Sequence, residues 1–280
     1  MSWLICTDGS PSAARAIDYG ATLARAAQAP VTLLGILPHA SAETSVRAAL
    51  GQAQAALSWQ ATEIVRSGKA ANVILEEVAQ GAYELVVMGS RGRRGWQRLA
   101  FGSVAARLAR YSPLPVLIIK GEPAPVVRRV LVCTSGDVRG ERVARWGGQV
   151  ARWLNADSTI LHVMSQIPIS AESHLEDLDK TAEEAIARQT REGAHLEREL
   201  ALMRGHGAAA HMAPKIRYGW VLEEIMAEMK EGAYDLLVIG GHQAPDFTGQ
   251  RNRLREYLLE DIADQIVMAV DRPILVVKGN

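Results

Sequence analysis

Four glycines in a loop after a short apolar run are the residues of this chain best suited to hold a ligand. They are Gly89, Gly92, Gly95 and Gly102, and a helical pattern begins directly afterwards at Ser103. Because glycine has no Cβ, the backbone can turn sharply and a phosphate chain can approach it closely. A helix that begins there offers free N–H groups and the positive end of its dipole to an anion. The spacing therefore predicts a phosphate-binding loop, with a plain surface turn as the alternative.

The same loop is basic but matches neither of the most familiar phosphate motifs. No Gly-Lys-Ser/Thr follows at the spacing of a Walker A loop, and the dinucleotide fingerprint fits poorly. Four arginines are suited either to clamp polyphosphate oxygens or to be ordinary solvated charges: Arg91, Arg93, Arg94 and Arg98. The 7 histidines show no HExxH spacing and no serine lies in a nucleophile elbow, so the sequence does not indicate a hydrolase.

Overall charge excludes some partners. Lys plus Arg and Asp plus Glu number 31 each, so no global field favours nucleic acid or an anionic membrane. The first residues, MSWLICTDGS, lack the pattern of a secretory signal, and no apolar run has the length of a membrane span. We therefore expect a cytoplasmic protein. Cys6 and Cys133 lie within apolar runs of separate repeats, which predicts free, buried thiols.

An internal repeat divides the 280 residues into two copies. LICTDGS matches LVCTSGD, GAYELVVMG matches GAYDLLVIG, and PVLIIKG matches PILVVKG. The segment GEPAP at 121–125 contains one glycine and two prolines, which interrupt regular structure. We therefore predict domains at 1–121 and 126–280, joined by a short, stiff linker.

Short apolar runs alternate with longer amphipathic stretches in each copy, which predicts parallel strands separated by helices. The first copy has predicted strands at Trp3–Cys6, Val31–Leu37, Ala61–Arg66, Leu85–Met88 and Val116–Ile119. Its predicted helices cover Ser12–Ala27, Glu43–Leu57, Ala70–Gln80 and Ser103–Tyr111. Ser10 or Ser12 beside Pro11 is suited to cap the first of these helices.

The second copy repeats this pattern with strands at Val130–Cys133, Thr159–Met164, Lys215–Tyr218, Leu236–Ile239 and Ile274–Val277. One long, charged helix is predicted over Asp177–Gly205, and its charge run is interpreted as a solvated face. The predicted fold class is α/β, with two tandem, doubly wound, five-stranded parallel sheets of Rossmann-like order 3-2-1-4-5.

This strand order gives Asp8 a possible role in binding. In a doubly wound sheet, ligands bind beyond the carboxyl ends of the strands, where the strand order reverses. If the first strand lies beside the fourth, Asp8 faces the glycine loop. A carboxylate at that point can accept hydrogen bonds from ribose hydroxyls or act through a divalent metal, and the alternative is a simple turn former.

The spacing Gly89-x2-Gly92-x9-Gly102-Ser103 resembles the G-x2-G-x9-G-[ST] motif of nucleotide-binding universal stress proteins, and ICTDGS resembles that family's first strand end. The resemblance covers nearly the whole chain, twice. It implies ATP as ligand, with Mg2+ as a possible companion ion and no separate set of metal ligands. The implied binding residues are Thr7, Asp8, Ile36, Gly89, Arg91, Gly92, Gly102, Ser103 and Val104. Family members often have His before the position of Ile36, where this copy has Gly35 and the second copy has His162.

The second copy is predicted to lack this site. Glu260 and Asp261 align with Gly102 and Ser103, and Ser135 aligns with Asp8. A carboxylate close to a phosphate opposes binding by about 4 kcal/mol at an effective dielectric near 20. A helix end returns only about 0.3 to 2 kcal/mol. Repulsion therefore exceeds attraction, and we expect no nucleotide in this copy.

The sequence thus favours a tandem universal stress protein whose first copy binds ATP and which acts as a stress-linked sensor or regulator. The second copy would be its pseudo-dimer partner, with the last strands of the two copies paired, while a homodimer and an unknown protein partner stay open. Neither nucleic acid nor membrane is expected as a partner. The alternatives are a nucleotide-free scaffold that works through protein contacts, and a slow ATPase.

Overall fold

A computed structural model describes residues 2–57, 59–90, 103–165, 181–205, 211–241 and 262–278. The chain forms two compact units. The first contains Met1–Pro125 together with Gly241–Lys278, and the second contains Val126–Gly240. The packing units therefore differ from the sequence repeats, since the end of the chain belongs to the first unit. The predicted domain limits of 1–121 and 126–280 describe the repeat and stay a prediction.

The first unit alternates strands and helices as the sequence predicts. Its elements are β1 (Ser2–Thr7), α1 (Pro11–Ala27), β2 (Val31–Leu37), α2 (Glu43–Ala56), β3 (Thr62–Ser67), α3 (Ala70–Gln80), β4 (Tyr83–Gly89), α4 (Ser103–Tyr111) and β5 (Val116–Ile119). The strand order β3-β2-β1-β4-β5 is parallel throughout and confirms the predicted 3-2-1-4-5 arrangement.

Two elements from the end of the chain complete this unit. They are a helix at residues 262–269, here called α9, and the strand β10 (Ile274–Lys278). β10 pairs with β5 in the antiparallel direction, with Ile274 opposite Ile118. The expected pairing between the last strands of the two copies is therefore confirmed. This pairing covers the edge of β5, which would otherwise expose unpaired backbone groups.

The second unit repeats the central part of the first. Its elements are β6 (Arg129–Thr134), α5 (Val138–Leu154), β7 (Asp157–Met164), α6 (Ala182–Ala187), α7 (Arg191–Arg204), β8 (Met212–Tyr218), α8 (Val221–Glu231) and β9 (Leu236–Gly241). The strands lie in the parallel order β9-β6-β7-β8, which corresponds to 4-1-2-3 in the first unit.

The prediction of a single long helix over Asp177–Gly205 is wrong. Two helices, α6 and α7, occupy the described part of this range, because Gln189 adopts a left-handed conformation with φ of 55°. Thr190 then caps α7, and its Oγ1 accepts the N–H of Gly193. A Cβ on Gly193 would overlap the carbonyl oxygen of Ala185, so this glycine lets α7 approach α6 closely.

The core of the first unit forms between β1 and the inner face of α1. Residues 3–7 of β1 are all buried, as expected for a parallel strand covered on both sides. Ser10 caps α1 by accepting the N–H of Ala13, and Pro11 occupies its first position, which confirms the predicted cap. Gly20 brings the helix close to Val87, because even a Cβ there would lie only 3.0 Å from its Cγ1.

A repeated Tyr–Glu contact ties a helix to the strand that follows it in each unit. Tyr83 donates its hydroxyl to Glu77 at 2.9 Å, and Tyr234 donates to Glu228 at 2.8 Å. Glu228 is only 1% exposed and also accepts from Lys215 and Arg217 at 2.6 and 2.7 Å. Burial alone would raise the pKa of Glu228, but these hydrogen bonds hold it below its ordinary value.

Both cysteines are free, and burial raises the pKa of the Cys6 and Cys133 thiols far above the ordinary range. Neither thiol is therefore a reactive nucleophile at neutral pH. Within the ranges described, no helix is both long enough and apolar enough to span a bilayer.

We predict that Glu228→Gln lowers the free energy of unfolding by about 1–3 kcal/mol, because it removes a buried carboxylate that accepts charge-assisted hydrogen bonds from the partly exposed Lys215 and Arg217. The matched change Glu77→Gln should cost less than about 1 kcal/mol from its ion pair, since Arg66 lies 3.6 Å away and is largely exposed. Urea unfolding at pH 7 measures both changes.

The pH dependence of this effect has a defined sign. Because the folded-state pKa of Glu228 is lowered, its contribution is present above the unfolded value of about 4.5 and is lost as the pH falls through the folded value. The gap between wild type and Glu228→Gln should therefore shrink below pH 4. An equal cost for both glutamates, or a gap that widens in acid, would contradict this assignment.

Candidate functional site

Three strand ends of the first unit meet at one edge of its sheet. β1 lies between β2 and β4, with Thr7 opposite Gly35 and Ile5 opposite Val87. The predicted adjacency of the first and fourth strands is therefore confirmed. Because the carboxyl ends of parallel strands point the same way, Thr7, Ile36 and Gly89 reach the same edge, which is where doubly wound folds bind ligands.

The start of the glycine loop touches the first turn of α1. A Cβ on Gly89 would overlap the carbonyl oxygen of Ser12 and lie 2.9 Å from the nitrogen of Ala13. Close packing of a strand end on a helix thus accounts for glycine at this position. Gly240 is its counterpart in the second copy, and among the described residues a Cβ there would meet Val143 alone, at 3.4 Å.

Ser90 is a site residue that sequence reasoning missed. Its N–H donates to the carbonyl of Ile119 at 2.9 Å, and its side chain is buried. Its Oγ has no hydrogen-bond partner among the residues that the structure describes. A buried hydroxyl without a partner is costly, so this oxygen has unused capacity for a ligand at the start of the glycine loop. Its only signal in the sequence is its position directly after Gly89.

Thr7 and Asp8 shape the turn between β1 and α1. Thr7 is buried, and its Oγ1 accepts the N–H of Gly9 at 3.1 Å. Asp8 is exposed, and its Oδ1 accepts the N–H of Ser10 at 3.0 Å. Asp8 therefore acts as a turn former in this structure, while its exposure leaves the carboxylate accessible to a ligand.

Helix α2 covers the ends of β1 and β2. A Cβ on Gly35 would lie 2.7 Å from Val46 and 2.9 Å from Leu50, and a Cβ on Gly9 would lie 2.8 Å from the Oγ of Ser45. This packing explains the departure from the family pattern, because a histidine at position 35 would collide with α2. The side chain of Ile36 is buried, so a ligand can meet this residue only through its backbone.

The phosphate side of the predicted site is described only in part. Arg91, Gly92 and Gly102 lie outside the described residues. Helix α4 begins at Ser103, as predicted, and Val104 is half-buried in its first turn. Neither α1 nor α4 has an acidic residue in its first turn, so the dipole ends of both helices remain electropositive.

The corresponding edge of the second unit has the same backbone register but acidic residues at the start of its first helix. Thr134 pairs with His162 just as Thr7 pairs with Gly35. Helix α5 is capped by Asp137, whose carboxylate accepts the N–H groups of residues 139 and 140 at 3.0 and 3.1 Å. Glu141 adds a second acidic group in the first turn. The carboxylates occupy the helix end that an anion would need.

A buried carboxyl group extends this acidic cluster. Glu199 of α7 is 1% exposed and accepts a hydrogen bond from the hydroxyl of Thr134, while its Oε2 has no partner in the described ranges. Burial, together with the nearby charges of Asp137 and Glu141, raises the pKa of Glu199 to about 7, against the opposing effect of the hydrogen bond from Thr134. Glu199 lies in the charge run that the sequence assigned to a solvated face, so that interpretation is wrong for this residue.

His162 borders the same cluster without forming a metal site. Its Nδ1 lies 3.3 Å from the carbonyl oxygen of Thr134, and burial lowers its pKa. No group of three or more His, Cys, Asp or Glu side chains suited to a metal ion occurs in the part of the chain that is described.

Comparison with known proteins agrees with this architecture. The sequence model of the Universal stress protein family matches residues 2–120 and again 127–278. The chain belongs to the universal stress protein family. It is 27% identical over 143 residues to universal stress protein YxiE of Bacillus subtilis, an alignment that covers 42% of this chain and 97% of that protein.

Solved structures show the same tandem fold. A universal stress protein from Archaeoglobus fulgidus superposes with a TM-score of 0.68 at 19% identity, covering 99% of this chain and 98% of the other. A functionally unknown protein from Pseudomonas aeruginosa superposes with a TM-score of 0.66 at 15% identity, covering 99% and 92%. The chain is thus a tandem universal stress protein with two copies of the family domain.

We predict that Gly89→Ala destabilises the protein by about 1–3 kcal/mol, because the new methyl group overlaps the backbone of α1. The matched change Gly240→Ala should alter stability by less than about 0.5 kcal/mol, since the contact it makes with the described part of the chain is an ordinary one with Val143. Differential scanning calorimetry of both variants measures the difference. Equal effects of the two substitutions would show that packing against the first turn of α1 is not the reason why position 89 is a glycine.

We predict that Glu199→Gln removes a pH dependence from the second unit. The folded-state pKa of Glu199 is raised from 4.5 to about 7, so its favourable contribution is complete below pH 4.5 and is lost as the pH rises through 7. At pH 8 the variant should be more stable than wild type by up to about 3 kcal/mol, and at pH 4.5 the two should be similar. Thermal unfolding at both pH values measures this, and a constant difference would contradict it.

Proposed function

We propose that this universal stress protein binds ATP at the carboxyl edge of β1, β2 and β4 and acts as a stress-linked sensor or regulator. The observation that carries the proposal is the contrast in charge between the two corresponding edges. The first edge has two helix starts without acidic residues in their first turns and one exposed carboxylate before them, Asp8, whereas the second has Asp137, Glu141 and Glu199. Only the first edge is electrostatically suited to a polyphosphate.

The magnitudes favour the same assignment. A micromolar ligand needs about 8 kcal/mol of binding free energy, and a single carboxylate near a phosphate removes about 4 kcal/mol at an effective dielectric near 20. Several carboxyl groups at the second edge therefore exclude a nucleotide there. Glu260 and Asp261, which lie outside the described residues, would add to this repulsion if they occupy the positions predicted by alignment.

The described residues fit ATP in a consistent way. The exposed carboxylate of Asp8 would accept hydrogen bonds from ribose hydroxyls, and Ser90, at the start of the glycine loop, has a buried hydroxyl with no partner among the described residues. The phosphates would then lie at the start of α4, where Gly102 and Ser103 stay predicted contacts. Mg2+ would accompany the phosphates and reduce their charge, and Asp8 is the described carboxylate nearest in sequence to this edge.

In this role ATP occupancy would change the surface that the protein presents to a protein partner. The second copy would serve as a permanent pseudo-dimer partner, since its last strand already covers β5. Such a protein would operate in the cytoplasm, where ATP is abundant. Any hydrolysis of ATP would be slow and incidental to the binding function.

We expect isothermal titration to show one ATP site per chain, and Gly102→Glu to weaken binding at least about 100-fold, because it introduces a carboxylate next to the phosphates. The matched control is Asp137→Ser in the second unit. Serine caps a helix about as well as aspartate, so this variant should fold normally and bind ATP as wild type does.

The outcomes separate the candidate functions. No heat from wild type would favour the nucleotide-free scaffold, and unchanged heat after Gly102→Glu would place ATP elsewhere. A stoichiometry of two would contradict the empty second copy. Turnover of ATP that disappears in Asp8→Ala would favour the slow ATPase instead.

A further inference from the structure

Two buried lysines follow the paired strands β5 and β10. Lys120 comes directly after PVLII, and Lys278 ends the matching strand PILVVK. Each side chain is only 3% exposed. A buried ammonium group is costly unless it is hydrogen-bonded, so the partners of these two lysines reveal what they are for.

Each lysine binds the end of a helix that belongs to the other sequence repeat. Lys278 donates from Nζ to the carbonyl oxygens of Ala109 and Arg110, near the end of α4. Lys120 donates to the carbonyl oxygens of Val267 and Val270, the latter at 2.7 Å, at the end of α9. The two repeats thus exchange helix caps within the first compact unit.

The chemistry of these contacts is specific to helix ends. The last four carbonyl groups of a helix have no intrahelical donor, and they carry the negative end of the helix dipole. An ammonium group satisfies both needs at once. Burial lowers the pKa of Lys278 to about 8, while the nearby charge of Asp264 opposes this shift. A lysine at so buried a position is consistent with a role in donating hydrogen bonds to helix carbonyls, which an apolar side chain could not perform.

The two capped helices, α4 and α9, differ at their amino ends. Lys278 caps α4, which begins at Ser103 directly after the glycine loop, whereas the chain before α9 carries Glu260 and Asp261. Helix α4 has 9 residues, so its two ends are only about 14 Å apart. The position of its carboxyl end therefore constrains the direction of its amino end. An ion pair between Arg110 and Asp264, at 4.0 Å, joins α4 and α9 beside the same cap.

We propose that Lys278 is a positioning residue for nucleotide binding. It holds the carboxyl end of α4 and thereby fixes the direction in which the amino end of that helix presents its N–H groups to phosphate. This inference rests on the proposed function. Its consequence is that the final strand of the second repeat sets the nucleotide affinity of the first, although Lys278 does not touch the nucleotide.

The test compares Lys278→Met with Lys120→Met in the full-length protein. Both variants remove a buried ammonium together with its hydrogen bonds to two helix carbonyls, so their effects on thermal stability should be similar. Lys278→Met should weaken ATP binding by about 2- to 30-fold in isothermal titration, the range typical of changes that act through a packed element. Lys120→Met should leave ATP affinity within about twofold of wild type.

Amide hydrogen exchange provides a readout that does not need ATP. In Lys278→Met, exchange should accelerate along α4 as far as the amides of Arg107 and Leu108, whereas in Lys120→Met it should accelerate in α9 and not in α4. Faster exchange confined to residues 109–111 would overturn the positioning role, because it would mean that the helix keeps its direction without the cap.

The titration outcomes are equally decisive. Equal losses of ATP affinity in both variants would overturn the proposal, since general destabilisation would explain them, and unchanged affinity in Lys278→Met would overturn it as well. Absence of ATP binding in wild type would refute the proposed function itself and, with it, the effect of Lys278 on affinity. Accelerated exchange throughout α4 would in that case still establish that Lys278 holds the helix.

Discussion

Parallel pairing of β1 with both β2 and β4 is the constraint on which the candidate site depends. This central strand is buried on both faces, so its polar residues can appear only beyond its carboxyl end. The turn around Asp8 and the start of the glycine loop are thereby brought to one edge. The second unit keeps the same registers around β6, which shows that backbone geometry alone does not distinguish the two edges.

The difference between the two edges lies in what fills them. In the first unit, Gly9 and Gly35 allow α2 to pack closely against the strand ends, and the first turn of α1 carries hydroxyl or apolar residues. In the second unit, a histidine stands where the first has Gly35, and Asp137 and Glu199 place carboxyl groups around Thr134. The duplicated domain has thus kept its scaffold, while the side chains around the corresponding strand ends differ in charge.

The sequence predicted the features that depend on local patterns. Apolar runs located the strands, the alternation of strands and helices indicated a doubly wound sheet and hence the strand order, and Ser10 with Pro11 identified the start of α1. Features that depend on distant contacts were not predictable. Glu199 looks like any other charge in its run, and only the packing of α7 against α5 shows that it is buried. The break before α7 depends on the left-handed conformation of Gln189. Glycine and asparagine often adopt this conformation, but glutamine rarely does, so the break could not be predicted from the sequence.

The position of β10 in the first unit affects how the protein is made. The chain leaves the ribosome from its amino end, so the strand that covers β5 emerges about 150 residues after its partner. Until then the newly made first half presents an open sheet edge, which invites pairing with other nascent chains. A chaperone that shields this edge, or rapid translation of the second half, would protect the polypeptide from aggregation during its synthesis.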